Sequence, residues 1–224
     1  MSTARSAILG RIRASLDAKA DDATRLHAAQ ARITAHSRQL IPNRAQGSAN
    51  DHVAMLRSFL EGQLATVIKV SEPGAVPASL LAYLKDKGAR ASVRLGGDPR
   101  LAAMPWQDAN GLEILQGAGS PDDPSGLSFA LCAIAETGTL VIAAGADNPV
   151  TLAFLPATHI IIVERASIVG SYEEAIDKVR QAFGASGMPR TLNYISGPSR
   201  TADIGGKIVI GAHGPRNLCV MIVG

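Results

Sequence analysis

After residue 64 the chain contains nine short runs of aliphatic and β-branched residues. Several of them are apolar at nearly every position, which is typical of strands covered on both faces of a sheet. Helical patterns separate some runs, at 77–88 and at 171–183, and the second begins with a capping box of Ser171 and Glu174. This alternation predicts an α/β fold, a three-layer α/β/α sandwich with a mainly parallel sheet. The predicted strands are 65–70, 91–95, 112–115, 127–134, 139–144, 159–164, 192–196, 207–211 and 218–223.

The first third of the chain has a helical periodicity instead. Apolar residues recur at helical spacing in two stretches, and Pro42 ends the second of them. Asn50 or Asp51 is expected to cap a third helix. We therefore predict an N-terminal helical segment, 1–49, before an α/β domain, 50–224. The apolar positions are Ile8, Ile12 and Leu16, then Leu26, Ile33 and Leu40.

Composition excludes several classes of protein. Apolar residues make up 46% of the chain, enough for a large core, whereas aromatic residues make up only 4%, too few for a surface on which bases stack. No apolar run approaches the roughly 18 residues of a membrane span. The N-terminus lacks the apolar region of a secretory signal, so we expect a cytoplasmic protein without a transmembrane segment.

Charge and cysteine content limit the partners and cofactors. Residues 1–45 hold eight Arg or Lys against three Asp, a balance of +5 in a chain of net charge +3. Single arginines spaced along helices favour a solvated or protein-docking face over a nucleic-acid site. Cys132 and Cys219 lie in separate apolar runs and can hold neither an iron–sulfur cluster nor a zinc ion by themselves. We predict no bound cofactor and no metal.

The first candidate site follows the strand 192–196. Gly197 and Pro198 shape a turn, and the hydroxyls, amides and guanidinium that come next suit a small anion in a cleft at the carboxyl ends of the strands. The alternative, equally weighted on this segment alone, is a turn satisfied by its own side chains. Gly205–Ile208 lacks the spacing of a phosphate-binding loop, and no dinucleotide fingerprint is present. The predicted binding residues are Gly197, Pro198, Ser199, Arg200, Thr201, Asp203 and His213.

The second candidate site is the turn from Glu136 to Thr139. A carboxylate between two apolar strands can act as a base or a covalent nucleophile. Thr137, Gly138 and Thr139 beside it are also predicted to bind the anion. The alternative, which the spacing favours, is a hairpin turn in which Glu136 only accepts hydrogen bonds. His159 is either a structural residue at a strand start or, with His213 and Asp203, part of a metal site.

Four motifs together resemble the LUD domain, and in particular the lactate utilization protein C family. They are AETGT at 135–139, LPATHIIIVE at 155–164, GPSRTADI at 197–204 and GAHGP at 211–215. The resemblance covers residues 50–224. One departure is Gly205 where the family usually has an acidic residue.

The resemblance implies a fold similar to the sugar-phosphate isomerase and CoA-transferase superfamily. It also implies a role as the non-redox subunit of a three-protein system that oxidises L-lactate to pyruvate, whose two partners carry the iron–sulfur clusters. The alternative that it implies is a stand-alone acyl- or phosphate-handling enzyme, in which Glu136 would attack an acyl thioester. Whether the chain itself catalyses a step stays open at this point.

Overall fold

The structure is a computed structural model that describes residues 3–16, 22–184 and 187–224, and the side chains of Asp203 and Ile204 lie outside that description. The chain divides into two compact units, Met1–Leu40 and Ile41–Gly224. The predicted boundary at residue 49 stays a prediction, although the third helix and the segment before it fall in the second unit.

The first unit consists of two helices, α1 (Thr3–Ser15) and α2 (Ala23–Ala35). The side chain of Asp22 caps α2 by accepting a hydrogen bond from the Arg25 N–H at 3.0 Å. Neither helix buries a residue. Their apolar positions are therefore exposed, from 50% at Ile12 to 64% at Ile33.

The first α-helix of the second unit is α3 (Ala49–Gly62), whose start differs from the predicted one. Ser48, and not Asn50 or Asp51, is the N-cap, because its hydroxyl accepts from the Asp51 N–H while the Asp51 carboxylate accepts from the Ser48 N–H. One face of α3 is buried through Val53, Leu56 and Leu60.

A parallel sheet of six strands forms the centre of this unit, in the order β1-β12-β7-β4-β2-β3. Helices α4 (Val76–Asp86) and α5 (Pro99–Ala102) follow β1 and β2 along the chain. The strands are β1 (Thr66–Val70), β2 (Ser92–Leu95), β3 (Glu113–Gln116), β4 (Ser125–Phe129), β7 (Thr158–Glu164) and β12 (Asn217–Val223).

Both faces of this sheet are covered, which explains why its central strands are apolar at nearly every position. On β7, Ile161 packs in the cluster that contains α3, whereas Ile160 and Ile162 pack in the cluster that contains α4. On β12, Val220 likewise packs in the cluster with α3, whereas Cys219 and Met221 pack in the cluster with α4. The prediction of a mixed α/β fold with a mainly parallel sheet flanked by helices is confirmed.

A second sheet of four strands lies on the α3 side, in the order β8-β5-β6-β9. Helix α6 (Tyr172–Phe183) covers its other face and begins with the predicted capping box of Ser171 and Glu174. The predicted single strand 127–134 is wrong, because Ala130 and Leu131 separate β4 from β5 and the two strands belong to different sheets. The strands are β5 (Cys132–Ile134), β6 (Thr139–Ala143), β8 (Ile168–Val169) and β9 (Leu192–Ile195).

The predicted strand 207–211 belongs to neither sheet. It contains β11 (Lys207–Ile210), which pairs with β10 (Arg200–Ile204) in an antiparallel hairpin. Gly205 and Gly206 make the two-residue turn, with φ of +63° and +71°, a conformation that side chains with a Cβ rarely adopt. Gly205, the residue that departs from the resembled motif, therefore suits this tight turn.

Candidate functional site

Most of the first group of predicted site residues line a single cavity of about 290 Å³. The segment from Tyr194 to Thr201 forms one wall, and His213 to Pro215 form another. His159 and Leu218 reach it from the parallel sheet, and Phe154 completes the lining on the side of the 150–153 turn. The structure thus brings together six of the predicted binding residues: Gly197, Pro198, Ser199, Arg200, Thr201 and His213.

The cavity does not lie at the carboxyl ends of the parallel strands, where we expected it. His159 is the second residue of β7 and Leu218 the second residue of β12, so the cavity lies at the amino ends of both. The expectation is wrong because β9, which delivers Gly197, is not part of the parallel sheet. It pairs antiparallel with β6 in the second sheet.

Hydrogen bonds within the loop occupy part of its polar groups. The Ser199 N–H donates to the Pro215 carbonyl at 2.8 Å, and the Ser199 hydroxyl accepts from the His213 N–H at 3.4 Å. The Gly211 N–H donates to the Ser199 carbonyl at 2.9 Å. Ser199 therefore holds the two walls of the cavity together, and its amide is not free for an anion.

Arg200 lies exposed at the rim of the cavity. Its Nη1 donates to Oε1 of Gln63 at 3.1 Å, which leaves the other N–H groups of the guanidinium available. A Cβ at Gly197 would lie 3.0 Å from Cβ of Gln63, so glycine permits this close approach. Sequence reasoning missed Gln63, since a glutamine at the end of an unrelated helix carries no local signal.

Asp203 belongs to β10, but its side chain lies outside the described part of the structure. The described residues that line the cavity include no Asp or Glu. Arg200 thus gives the described lining a positive formal charge, a balance that favours an anionic ligand.

His159 differs from His213 in burial. His213 is exposed, whereas His159 is 1% exposed and its Nε2 lies 3.0 Å from the hydroxyl oxygen of Ser128. Complete burial lowers the pKa of His159 to about 3, so its imidazole is neutral at physiological pH. His159 and Leu218, which line the cavity from the parallel sheet, form its floor. There the neutral imidazole of His159 can donate or accept a hydrogen bond but adds no charge.

Glu136 is buried beside this site and does not line the cavity. Its Oε1 accepts from the Tyr172 N–H at 3.2 Å, in the first turn of α6, where the helix dipole favours a negative charge. Its Oε2 lies 3.7 Å from Nε of Arg44. These contacts support the hydrogen-bonding role of Glu136, and its catalytic role stays a prediction.

The turn beside Glu136 contacts the first site through hydroxyl groups. Thr139 Oγ1 lies 2.8 Å from Thr137 Oγ1 and 2.7 Å from the hydroxyl of Ser196, which lines the cavity. The hydroxyl of Tyr172 lies within 3.4 Å of both threonines. The two candidate sites are therefore neighbours joined through Thr139 and Ser196. Neither Ser196 nor Tyr172 carries a local signal that would have identified it from the sequence.

Gly138 is fixed by the packing of the same turn. Its φ is +66°, and a Cβ there would lie 2.6 Å from Cβ of Phe59 on α3. The turn thus needs glycine for its conformation and for its contact with the helix.

We next consider the side chains that could bind a metal ion and the two cysteines. No group of three His, Cys, Asp or Glu lies close enough together there to hold a metal ion. Cys132 and Cys219 are buried free thiols on β5 and β12, and burial raises their pKa to about 11 and about 12.

Within the described ranges no helix is both long enough and apolar enough to cross a bilayer.

Comparison with known proteins finds similarity to the LUD domain and to several proteins named lactate utilization protein C. The LUD domain matches residues 124–223. Lactate utilization protein C of Bacillus subtilis is 39% identical over 100 residues, which are 44% of this chain and 41% of that protein. Lactate utilization protein C of Macrococcus caseolyticus is 34% identical over 122 residues, 54% of this chain and 52% of that protein. The matches thus span about half the length of these curated relatives.

A solved structure supports the same relationship. The crystal structure of a DUF162 family protein from Deinococcus radiodurans has a TM-score of 0.62 and 25% identity, and covers 80% of this chain and 100% of that one. The resemblance indicated by the four motifs is therefore confirmed: residues 124–223 of this chain match the LUD domain, and relatives named lactate utilization protein C are similar to part of it.

Proposed function

We propose that this protein acts in lactate utilization, where it binds a small carboxylate anion in the cavity beside Arg200. The observation that carries the proposal is the lining of this cavity: a guanidinium and several hydroxyls, without Asp or Glu among the described residues. The names of the relatives support the pathway. A volume of about 290 Å³ suits a compact ligand such as L-lactate or pyruvate.

Within this proposal the protein is the non-redox subunit of a system that oxidises L-lactate to pyruvate. Two partner proteins would carry the iron–sulfur clusters, and this chain would bind no cofactor of its own. The basic helices α1 and α2, with exposed apolar positions, would contact those partners. We keep the cytoplasm as the predicted location.

Arg200→Ala should weaken the binding of L-lactate or pyruvate about tenfold, because it removes a charge-assisted hydrogen bond. Arg200→Lys keeps the charge but loses the two-pronged geometry, so its affinity should lie between those of the parent protein and Arg200→Ala. Isothermal titration calorimetry measures both. Arg216→Ala is the matched control, since Arg216 is an exposed arginine of the same region that does not line the cavity.

The thermal midpoint of each variant separates binding from folding, because Arg200 also bonds Gln63. If Arg200→Ala binds these anions as tightly as the parent protein does, the anion site is wrong. Lactate-dependent dye reduction by the assembled system then tests the pathway independently: activity should require this chain and should fall with Arg200→Ala.

Glu136→Gln should lower the free energy of unfolding by about 1 kcal/mol, because the amide still accepts from Tyr172 but loses its charge beside Arg44 and the helix terminus. Glu72→Gln, at an exposed glutamate, should have no measurable effect. Mass spectrometry after incubation with acyl-CoA thioesters should find no covalent acyl group on the parent protein. An adduct on Glu136 would replace the subunit proposal with the transferase alternative.

A further inference from the structure

A second and larger cavity, of about 600 Å³, lies between α3 and the edge of the parallel sheet. We call it the α3 groove. Buried Val53 of α3 and Ile222 of β12 contribute apolar side chains to it. Its size falls within the range of small-molecule sites, roughly 300–1,000 Å³.

The α3 groove lies at the opposite end of the sheet from the cavity beside Arg200. Ile222 is next to the last residue of β12, and Arg165 directly follows β7. These are the carboxyl ends of parallel strands, the edge at which ligands bind in open α/β sheets. The two cavities have no described lining residue in common.

Three cationic side chains line the α3 groove: Arg57 on α3, Lys69 on β1 and Arg165 after β7. Glu61 is the acidic side chain among its described lining residues. The described lining therefore carries an excess of two positive charges. Because α3, β1 and the end of β7 are separate in sequence, the folded structure alone brings these cations to one place.

The contacts of these cations leave hydrogen-bond donors available. Nε of Arg57 donates to Oε1 of Glu61 at 2.7 Å, and Nη2 of Arg165 donates to Oδ1 of Asn50. Each guanidinium has five N–H groups, so each retains further donors. Lys69 is exposed and makes no ion pair with any residue that the structure describes.

We propose that the α3 groove binds a phosphorylated organic anion of the nucleoside diphosphate class. Phosphate oxygens would accept from Lys69 and from the free donors of Arg57 and Arg165, since guanidinium groups match phosphate geometry. The apolar part of the ligand would pack on Val53 and Ile222. This site is independent of the carboxylate site beside Arg200.

Calorimetric titration of the full chain with adenosine diphosphate and with inorganic pyrophosphate tests the proposal. Adenosine diphosphate should bind more tightly than pyrophosphate, because pyrophosphate lacks the organic part that contacts the apolar side chains. Lys69→Ala and Arg165→Ala should each weaken its binding about tenfold. Lys85→Ala, at an exposed lysine of α4 outside the groove, is the control and should leave its affinity unchanged.

Four results would overturn this inference. The first is that neither compound binds, and the second is that Lys85→Ala loses as much affinity as Lys69→Ala and Arg165→Ala do. The third is that adenosine diphosphate and pyrophosphate bind with equal affinity. The fourth is that an oligoglutamate peptide binds more tightly than adenosine diphosphate. The last would identify the groove as a docking surface for an acidic protein segment. Circular dichroism confirms that each variant is folded.

Discussion

Gly126→Ala should lower the free energy of unfolding by about 3 kcal/mol, the upper part of the usual cost of overpacking a core. Gly126 lies in β4, between β7 and β2 in the parallel sheet. A Cβ at this position would lie 2.5 Å from the carbonyl oxygen of Leu152 and 3.0 Å from Cγ of Pro156. Hydrogen bonds to both neighbouring strands prevent the backbone of β4 from moving away, so the turn at 150–153 has to be displaced.

Chemical denaturation measures this loss, and Gly62→Ala provides the control. Gly62 ends α3 with no atom within 4 Å of the position of a Cβ. Alanine there should leave stability unchanged or raise it, since it reduces the conformational entropy of the unfolded chain. Equal stability of Gly126→Ala and the parent protein would show that the 150–153 turn is free to move away from the sheet.

Acidification should destabilise the protein through His159. Its pKa is about 3 in the folded state against 6.5 in the unfolded chain, because burial disfavours the charged imidazole. Between these values the unfolded state binds one more proton, so stability falls as the pH falls. The decrease in the free energy of unfolding should approach about 1.4 kcal/mol for each pH unit well below pH 6.5, and should amount to about 2 kcal/mol between about pH 6.5 and pH 4.5.

His159→Gln isolates this contribution, since a glutamine can still hydrogen-bond to Ser128 but does not titrate. Denaturation across this pH range should show a slope smaller by one proton in His159→Gln than in the parent protein. His27→Gln, at an exposed histidine of α2, is the control and should keep the parental slope. An unchanged slope in His159→Gln would show that His159 is hydrated in the folded protein.

Much of the fold could be predicted because both faces of the central strands are covered. Runs such as 160–163 and 218–223 are apolar throughout, and their short length and β-branched residues favour a buried parallel strand. The run 127–134 has the same composition yet changes sheets at Ala130 and Leu131. Continuous apolarity cannot reveal such a change, since both parts are equally buried. The run 207–211 has the composition of a sheet strand, but it lies in the hairpin, where Ile208 is 69% exposed.

The candidate site was predictable in composition but not in position. Arg200, Ser199 and His213 are close in sequence to glycine–proline turns, so their grouping in one cavity could be foreseen. The contact of Arg200 with Gln63 joins residues 137 positions apart, and that of Thr139 with Ser196 joins residues 57 positions apart. Such pairs depend on how the second sheet and α3 pack together, which no local pattern encodes.

The walls of the cavity beside Arg200 differ in how firmly the fold supports them. His159 and Leu218 belong to strands with neighbours on both sides, whereas Arg200 and Thr201 belong to a hairpin that pairs with neither sheet. A two-stranded hairpin gains little stability by itself. The floor thus belongs to a six-stranded sheet and the rim to a two-stranded hairpin. If the cavity is the anion site that we propose, the parallel sheet would set the depth to which the ligand enters, and the position of the β10–β11 hairpin would set the width of ligand that is accepted.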